Sequence, residues 1–188
     1  MNNIFLTSDT HFGHNNICHF TNSDGSPVRP WDNHQEMDDA LVENWNSVVK
    51  PNDKVYHLGD VVIKKEFLSI FERLNGTKVL IRGNHDIFKL KDYSQYFKDV
   101  RGCHVLDGLI FTHIPIHEES LGRFGCNVHG HLHGKRVMKS DGSGIDPRYH
   151  NVCVEQTNFT PIAFEDMKQK ILDEGGVIGF QNGNGPTS

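Results

Sequence analysis

The chain has 188 residues, 36% of them hydrophobic and 23% charged, with a formal net charge of −5. That length suits one domain with a core of its own, and that composition excludes disorder along the whole chain. The acidic balance argues against a clustered basic surface for stable duplex nucleic-acid binding, yet leaves phosphate substrates open, since bound cations would add positive charge that the formal count omits.

Four cysteines (Cys18, Cys103, Cys126 and Cys153) are scattered without a C-x-x-C pair, so reduced thiols are expected, with Cys153 a small buried strand residue. No apolar run reaches membrane-spanning length, and Met1–Phe12 has no basic region followed by an apolar one. A soluble, cytoplasmic protein with no membrane partner is expected. The compositional outlier is histidine, with 13 residues spread along the chain. Histidine is the commonest metal ligand and the usual acid–base group near neutral pH.

In chain order, Asn3–Ser8 reads as a buried strand. Met37, Leu41, Trp45 and Val48 recur at helical spacing and predict an amphipathic helix ended by Pro51. A second strand lies in Lys54–Val62. Glu66–Leu74 predicts another helix, with Phe67, Ile70, Phe71 and Leu74 on one face. Thr77–Asn84 is a third strand, and Asp107-Gly108 between apolar runs is a hairpin signal. Further strands fall in Cys126–His131 and Tyr149–Glu155, and a last helix in Glu165–Leu172. Two long polar loops, His19–Asn33 and Lys135–Tyr149, interrupt this rhythm and have the length of lids or binding loops. Residues 1–175 read as a single domain and 176–188 as a mobile C-terminal tail.

Polar clusters sit where the strands end. The first strand runs into Asp9-Thr10-His11, the second into Gly59-Asp60, the third into Gly83-Asn84-His85-Asp86, the hairpin into His113, and the next into Gly130-His131-Leu132-His133. Carboxyl ends of strands are where open α/β sheets collect ligands. In an extended segment residues two apart share a side, so Asp9 with His11, and His131 with His133, can converge on one metal or on neighbouring metals, leaving His129 to pack or to support a ligand. Imidazole, carboxylate and amide oxygen without thiolate suit Mn²⁺, Fe, Ni²⁺ or Zn²⁺.

This ordered set, D-x-H, G-D, G-N-H-D, H and G-H-x-H, resembles the calcineurin-like metallophosphoesterase superfamily, and the stretches around Asp9 and Asp60 are similar to its small single-domain bacterial and phage members. The resemblance implies an α/β fold of two packed mixed β-sheets flanked by helices. It implies two metal ions, Mn²⁺ foremost: Asp9, His11 and His133 at one, Asn84, His113 and His131 at the other, and Asp60 bridging. It further implies His85 beside the scissile phosphate, with Asp86 orienting it, and phosphoester hydrolysis through a two-metal-bound hydroxide.

A phosphodiesterase on a small, nucleotide-like substrate is the leading expectation. A phosphomonoesterase, a nuclease and a non-catalytic scaffold are the alternatives. His14 and Asn16 are candidate substrate contacts. Arg29 either clasps a phosphate or is a solvated loop arginine, and Trp31 either packs on the first helix or stacks a base. His57 is read as packing or as support for a ligand loop. The oligomeric state is left open.

Overall fold

The structure, a computed structural model, describes residues 2–180. Strands β1 (Ile4–Thr7), β2 (Lys54–His57), β3 (Thr77–Ile81) and β4 (Asp99–Arg101) run parallel, and β9 (Ile162–Ala163) pairs antiparallel with β1, giving the order β4-β3-β2-β1-β9. A second mixed sheet has the order β5-β6-β7-β8, from β5 (His104–Leu106), β6 (Leu109–Phe111), β7 (Asn127–His129) and β8 (Tyr149–Asn151). Helix α1 (His34–Val48) is capped by Asn33, whose side chain accepts from the Glu36 N–H. Helices α2 (Leu90–Tyr93) and α3 (Glu118–Leu121) are single turns, and α4 (Phe164–Asp173) is the last. No helix among the described residues is long and apolar enough to cross a membrane.

The two-residue period of a strand sorts the first sheet's side chains into two cores. Phe5, Val55 and Leu80 face one way and pack with Met37, Leu41 and Trp45 of α1. Leu6, Tyr56, Val79 and Ile81 face the other way, against Phe111 and Val128 of the second sheet, with Phe164, Met167 and Ile171 of α4 in the same cluster. The expected two-sheet sandwich is therefore observed, and every strand that ends in a candidate ligand is anchored in the cluster between the sheets.

The turn at Asp107-Gly108 has φ of 49° and 74°, the left-handed pair that a tight two-residue hairpin requires. The expected helix at Glu66–Leu74 is instead a 3₁₀ helix, Lys65–Arg73. Its tighter winding stacks residues three apart, which places Leu68, Phe71 and Leu74 in one buried row. The boundary expected for the tail moves as well. The Gly176 N–H bonds the Ile171 carbonyl, the Gly179 N–H bonds the Asp107 carbonyl, and Phe180 bridges Phe124, so residues 176–180 are tied to the body. Residues 181–188 of that expected tail lie outside the described residues.

Candidate metal centre

Both sheets direct the carboxyl ends of their parallel strands to one edge, where a parallel bridge from Ser8 to Cys153 joins them. The chain kinks there. Asp9, His11, Asp60, His131 and His133 all have positive φ, from 49° to 69°. Left-handed backbone is costly for residues with a Cβ and persists where the surroundings enforce it, often at sites of function. The expectation that each pair shares a side by alternation in an extended segment is thus corrected: the pairs lie in left-handed loops beyond the strands, where Asp9 and His11 fall in one group and His131 and His133 in different ones. His129, on β7 itself, is buried with Nδ1 2.8 Å from the Gly130 carbonyl.

Two ligand groups result. In each of Asp9–His11–His133 and Asp60–His113–His131, one ligand atom per residue lies within 4.8 Å of the others. In the first, Asp9 Oδ1 stands 3.7 Å from His11 Nε2 and 3.7 Å from His133 Nε2. These gaps are too long for hydrogen bonds, but near the ~3.4 Å that separates donors ~2.1 Å from a tetrahedral ion. Asp9 Oδ1 and both His11 ring nitrogens are buried without hydrogen-bond partners. Buried polar atoms without partners are costly, and a cation beside them would satisfy Asp9 Oδ1 and His11 Nε2.

The second group points the same way. His113 Nδ1 is 2.7 Å from the Leu58 carbonyl, which can only accept, so Nδ1 carries the proton. Nε2 then faces two oxygens, Asn84 Oδ1 at 2.8 Å and Asp60 Oδ2 at 3.3 Å. A lone pair aimed at two acceptors needs a cation among them. Without metal a proton serves: burial pushes the His113 pKa down, but the carboxylates of Asp60 and Asp9 leave it raised overall. Asp60 Oδ2 also lies 3.8 Å from His11 Nε2, which places one carboxylate oxygen between the groups. The His131 ring stands edge-on to His113 at 5.2 Å.

Each ligand is held by its other end. Asp9 Oδ2 accepts from Ser8 Oγ at 2.5 Å, the His131 N–H at 2.9 Å and Cys153 Sγ at 3.1 Å. Burial would raise the Asp9 carboxyl, yet the facing imidazoles of His11, His113 and His133 hold it below the ordinary carboxylate range. Asp60 Oδ1 accepts from the His85 N–H at 2.8 Å. Gly130 is required by close approach, because a Cβ there would lie 2.0 Å from Ser8 Oγ and 2.5 Å from Asp9 Oδ2.

His133 Nδ1 faces Glu155 Oε1 at 3.0 Å, which fixes the proton on Nδ1 and frees Nε2. Burial would raise the Glu155 carboxyl, but Arg29 and His133 lower it, so it stays ionised. Glu155→Gln keeps the size and removes the charge that holds His133. It is expected to weaken metal binding about 10- to 100-fold, read by titration against a chelating dye, with the fold retained.

Several expected roles change. Arg29 is 1% exposed: it donates to the carbonyls of Asp9 (2.6 Å) and Thr10 (2.7 Å) and to Glu155 Oε1 (2.8 Å), so it braces the first ligand loop and is neither solvated nor free for a phosphate. Asp86 does not orient the His85 ring; its buried carboxylate accepts from the N–H groups of Asp60 (2.8 Å), Val61 (3.1 Å) and Gly83 (2.8 Å), locking two ligand loops together. Cys153 is more than filler, since its thiol donates to Asp9. Burial and the nearby Asp9 and Glu155 carboxylates keep that thiol protonated.

His85 is exposed, its ring 5.6 Å from that of His11. His14 is half-buried 5.7 Å from His11, and burial together with the neighbouring His11 and Arg29 pushes its pKa down to about 4. Asn16 lies exposed in the 3₁₀ helix Asn15–His19. Trp31 packs against Phe159 at 4.8 Å. Glu155 went unread in the sequence although it follows β8 as the other ligands follow their strands.

His57, at the end of β2, is completely buried. Its Nδ1 accepts from the Gly59 N–H at 3.2 Å, and Nε2 meets Thr10 Oγ1 at 3.0 Å, tying the first two ligand loops. Burial pushes its pKa down to about 3. In the unfolded chain an ordinary histidine takes a proton below about 6.5, so below that pH the unfolded state binds more protons and stability falls with falling pH. Urea unfolding in chelator is expected to show a loss approaching about 1.4 kcal/mol per pH unit from this group as pH drops from 6.5 towards 3, and His57→Gln flattens the slope.

Comparison with known proteins shows the family. Over 186 residues the chain is 34% identical to the uncharacterized protein MJ1445 of Methanocaldococcus jannaschii, covering 95% of this chain and 96% of that one. The gene 66 protein of Mycobacterium phage L5 is 34% identical over 91 residues, which cover 46% of this chain and 41% of the phage protein. The crystal structure of AQ665, a protein of unknown function from Aquifex aeolicus, superposes with a TM-score of 0.67 at 25% identity, over 90% of this chain and all (100%) of that one. The family described as calcineurin-like phosphoesterase matches residues 3–183, a span that contains both ligand groups, and the chain belongs to that family.

Proposed function

We propose that the protein is a two-metal phosphoesterase that hydrolyses small phosphodiesters, nucleotide-like ones foremost. The observation that carries the reading is Asp60 Oδ2, 3.3 Å from His113 Nε2 and 3.8 Å from His11 Nε2, one oxygen that faces a histidine of each candidate group. Asp9, His11 and His133 would hold one cation, Asn84, His113 and His131 the other, with Asp60 between. Imidazole, carboxylate and amide oxygen fit Mn²⁺, and equally Fe, Ni²⁺ or Zn²⁺. Two such cations supply charge to hold a phosphate and lower the pKa of a water between them.

The chain's own residues do the rest. Water adds its oxygen to phosphorus, the ester P–O bond breaks, and the departing alcohol oxygen needs a proton. His85, exposed and 5.6 Å from the His11 ring, is the group placed to donate it. Asp86 and the Asp60–His85 backbone contact hold its loop. Asn84 offers an amide oxygen and adds no negative charge where an anion must bind.

Two recesses favour a diester over a monoester. One of about 750 Å³ borders His131 and His133, and another of about 530 Å³ borders Asn84 and His113. A phosphate with two organic arms uses both, whereas a monoester uses one. All four cysteines are unpaired, in keeping with a reducing cytoplasmic setting. With Mn²⁺ supplied, the protein is expected to turn over bis-p-nitrophenyl phosphate faster than p-nitrophenyl phosphate. The reverse order moves the reading to a monoesterase, and failure with both removes it.

A further inference from the structure

The larger recess has an uneven lining. Ile17, Phe20, Val28 and Leu132 make an apolar side, Asn22 and Lys135 stand at its polar rim, and His131 and His133 close it towards the ligand groups. Phe20 is 51% exposed, although it is a large apolar ring. Among the described residues only His14 meets that ring with its own, at 6.1 Å and nearly perpendicular.

The loop that carries Phe20 is ordered in advance. The Val28 N–H bonds the Phe20 carbonyl at 2.8 Å, the Asn22 N–H bonds the Ser26 carbonyl at 2.8 Å, and Thr21 bridges Pro27. A ligand that uses the ring therefore does not bear the entropy of fixing it. Asn22 Nδ2 is engaged with Ser26 Oγ at 3.0 Å, which leaves the amide oxygen as the group Asn22 offers a ligand edge. Lys135 stands in no ion pair among the described residues.

An aliphatic arm would use the apolar side and leave the amide and the ammonium idle. A flat heterocycle on an anionic chain uses every one of these groups: its π-face on Phe20, its edge at Asn22, its charge at Lys135. We propose that this recess binds the nucleobase-bearing arm of a nucleotide phosphodiester, with Phe20 as the stacking surface and Lys135 as the counter-charge. For its reactive end the assignment rests on the phosphoesterase reading above.

Calorimetry with the Mn²⁺-loaded protein compares AMP with methyl phosphate, which has no base. AMP is expected to bind at least about tenfold tighter, an advantage lost in Phe20→Ala and kept in Phe20→Trp. In turnover, Phe20→Ala is expected to raise KM for p-nitrophenyl thymidine-5′-phosphate about tenfold with kcat within twofold. Equal affinity for AMP and methyl phosphate in the wild type, or an AMP advantage that survives Phe20→Ala, overturns the assignment. A Phe20-dependent preference for AMP with no turnover of any ester upholds the recess and sinks the hydrolase reading. Turnover with no such preference does the opposite.

Discussion

Asp60→Ala is expected to lower the bound metal from about two ions to one or fewer and to cut turnover by about 10³-fold or more. Asp60 is 2% exposed, held in left-handed backbone with φ of 57°, and its two oxygens do separate work. Oδ1 receives the His85 N–H at 2.8 Å and so anchors the loop that carries Asn84 and His85. Oδ2 lies 3.3 Å from His113 Nε2 and 3.8 Å from His11 Nε2, so it faces a histidine of each candidate group. Alanine removes both functions, leaving four histidines to face one another with one carboxylate fewer among them. Asp60→Asn keeps an oxygen for His85 and removes only the charge, so it is expected to retain more metal than alanine does. Elemental analysis after gel filtration, paired with rates on bis-p-nitrophenyl phosphate, reads both. Two tightly held ions and full turnover in Asp60→Ala would refute the bridging role.

His85→Ala is expected to keep both ions and the melting temperature while losing about 10²- to 10⁴-fold in kcat. Its exposed side chain belongs to neither ligand group, and the contact that holds its loop comes from its backbone N–H. The loss is expected to depend on the leaving group. An alkoxide cannot depart without a proton, whereas p-nitrophenolate departs readily, so the deficit is larger for methyl or nucleoside esters than for p-nitrophenyl esters. A uniform deficit across leaving groups would mark His85 as a positioning residue and not a proton donor.

Most of the centre is legible in the sequence because one physical pattern repeats. A short apolar run must be buried, a polar cluster after it must lie at the sheet's edge, and parallel strands bring those edges together. That pattern picks out Asp9, His11, Asp60, Asn84, His113, His131 and His133 as candidates, and the structure gathers six of them into two groups that could hold a cation, with Asn84 beside His113. Glu155 obeys the same rule after Tyr149–Asn151, but a lone glutamate after a strand has no histidine beside it to draw notice. Arg29 and Asp86 misled for a different reason. Most of their partners are backbone carbonyls and N–H groups, and backbone contacts leave no mark in residue identity. The left-handed kinks at Asp9, His11, His131 and His133 are likewise invisible, since aspartate and histidine tolerate but do not announce positive φ. Single-turn α2 and α3 and the two-residue β9 are too short to establish a period.

The centre is tested most directly by anomalous diffraction from crystals soaked in Mn²⁺. Two peaks about 3.5–4 Å apart are expected, one among Asp9, His11 and His133, the other among Asn84, His113 and His131, with Asp60 Oδ2 between them. A single peak, or peaks away from these residues, would contradict that arrangement.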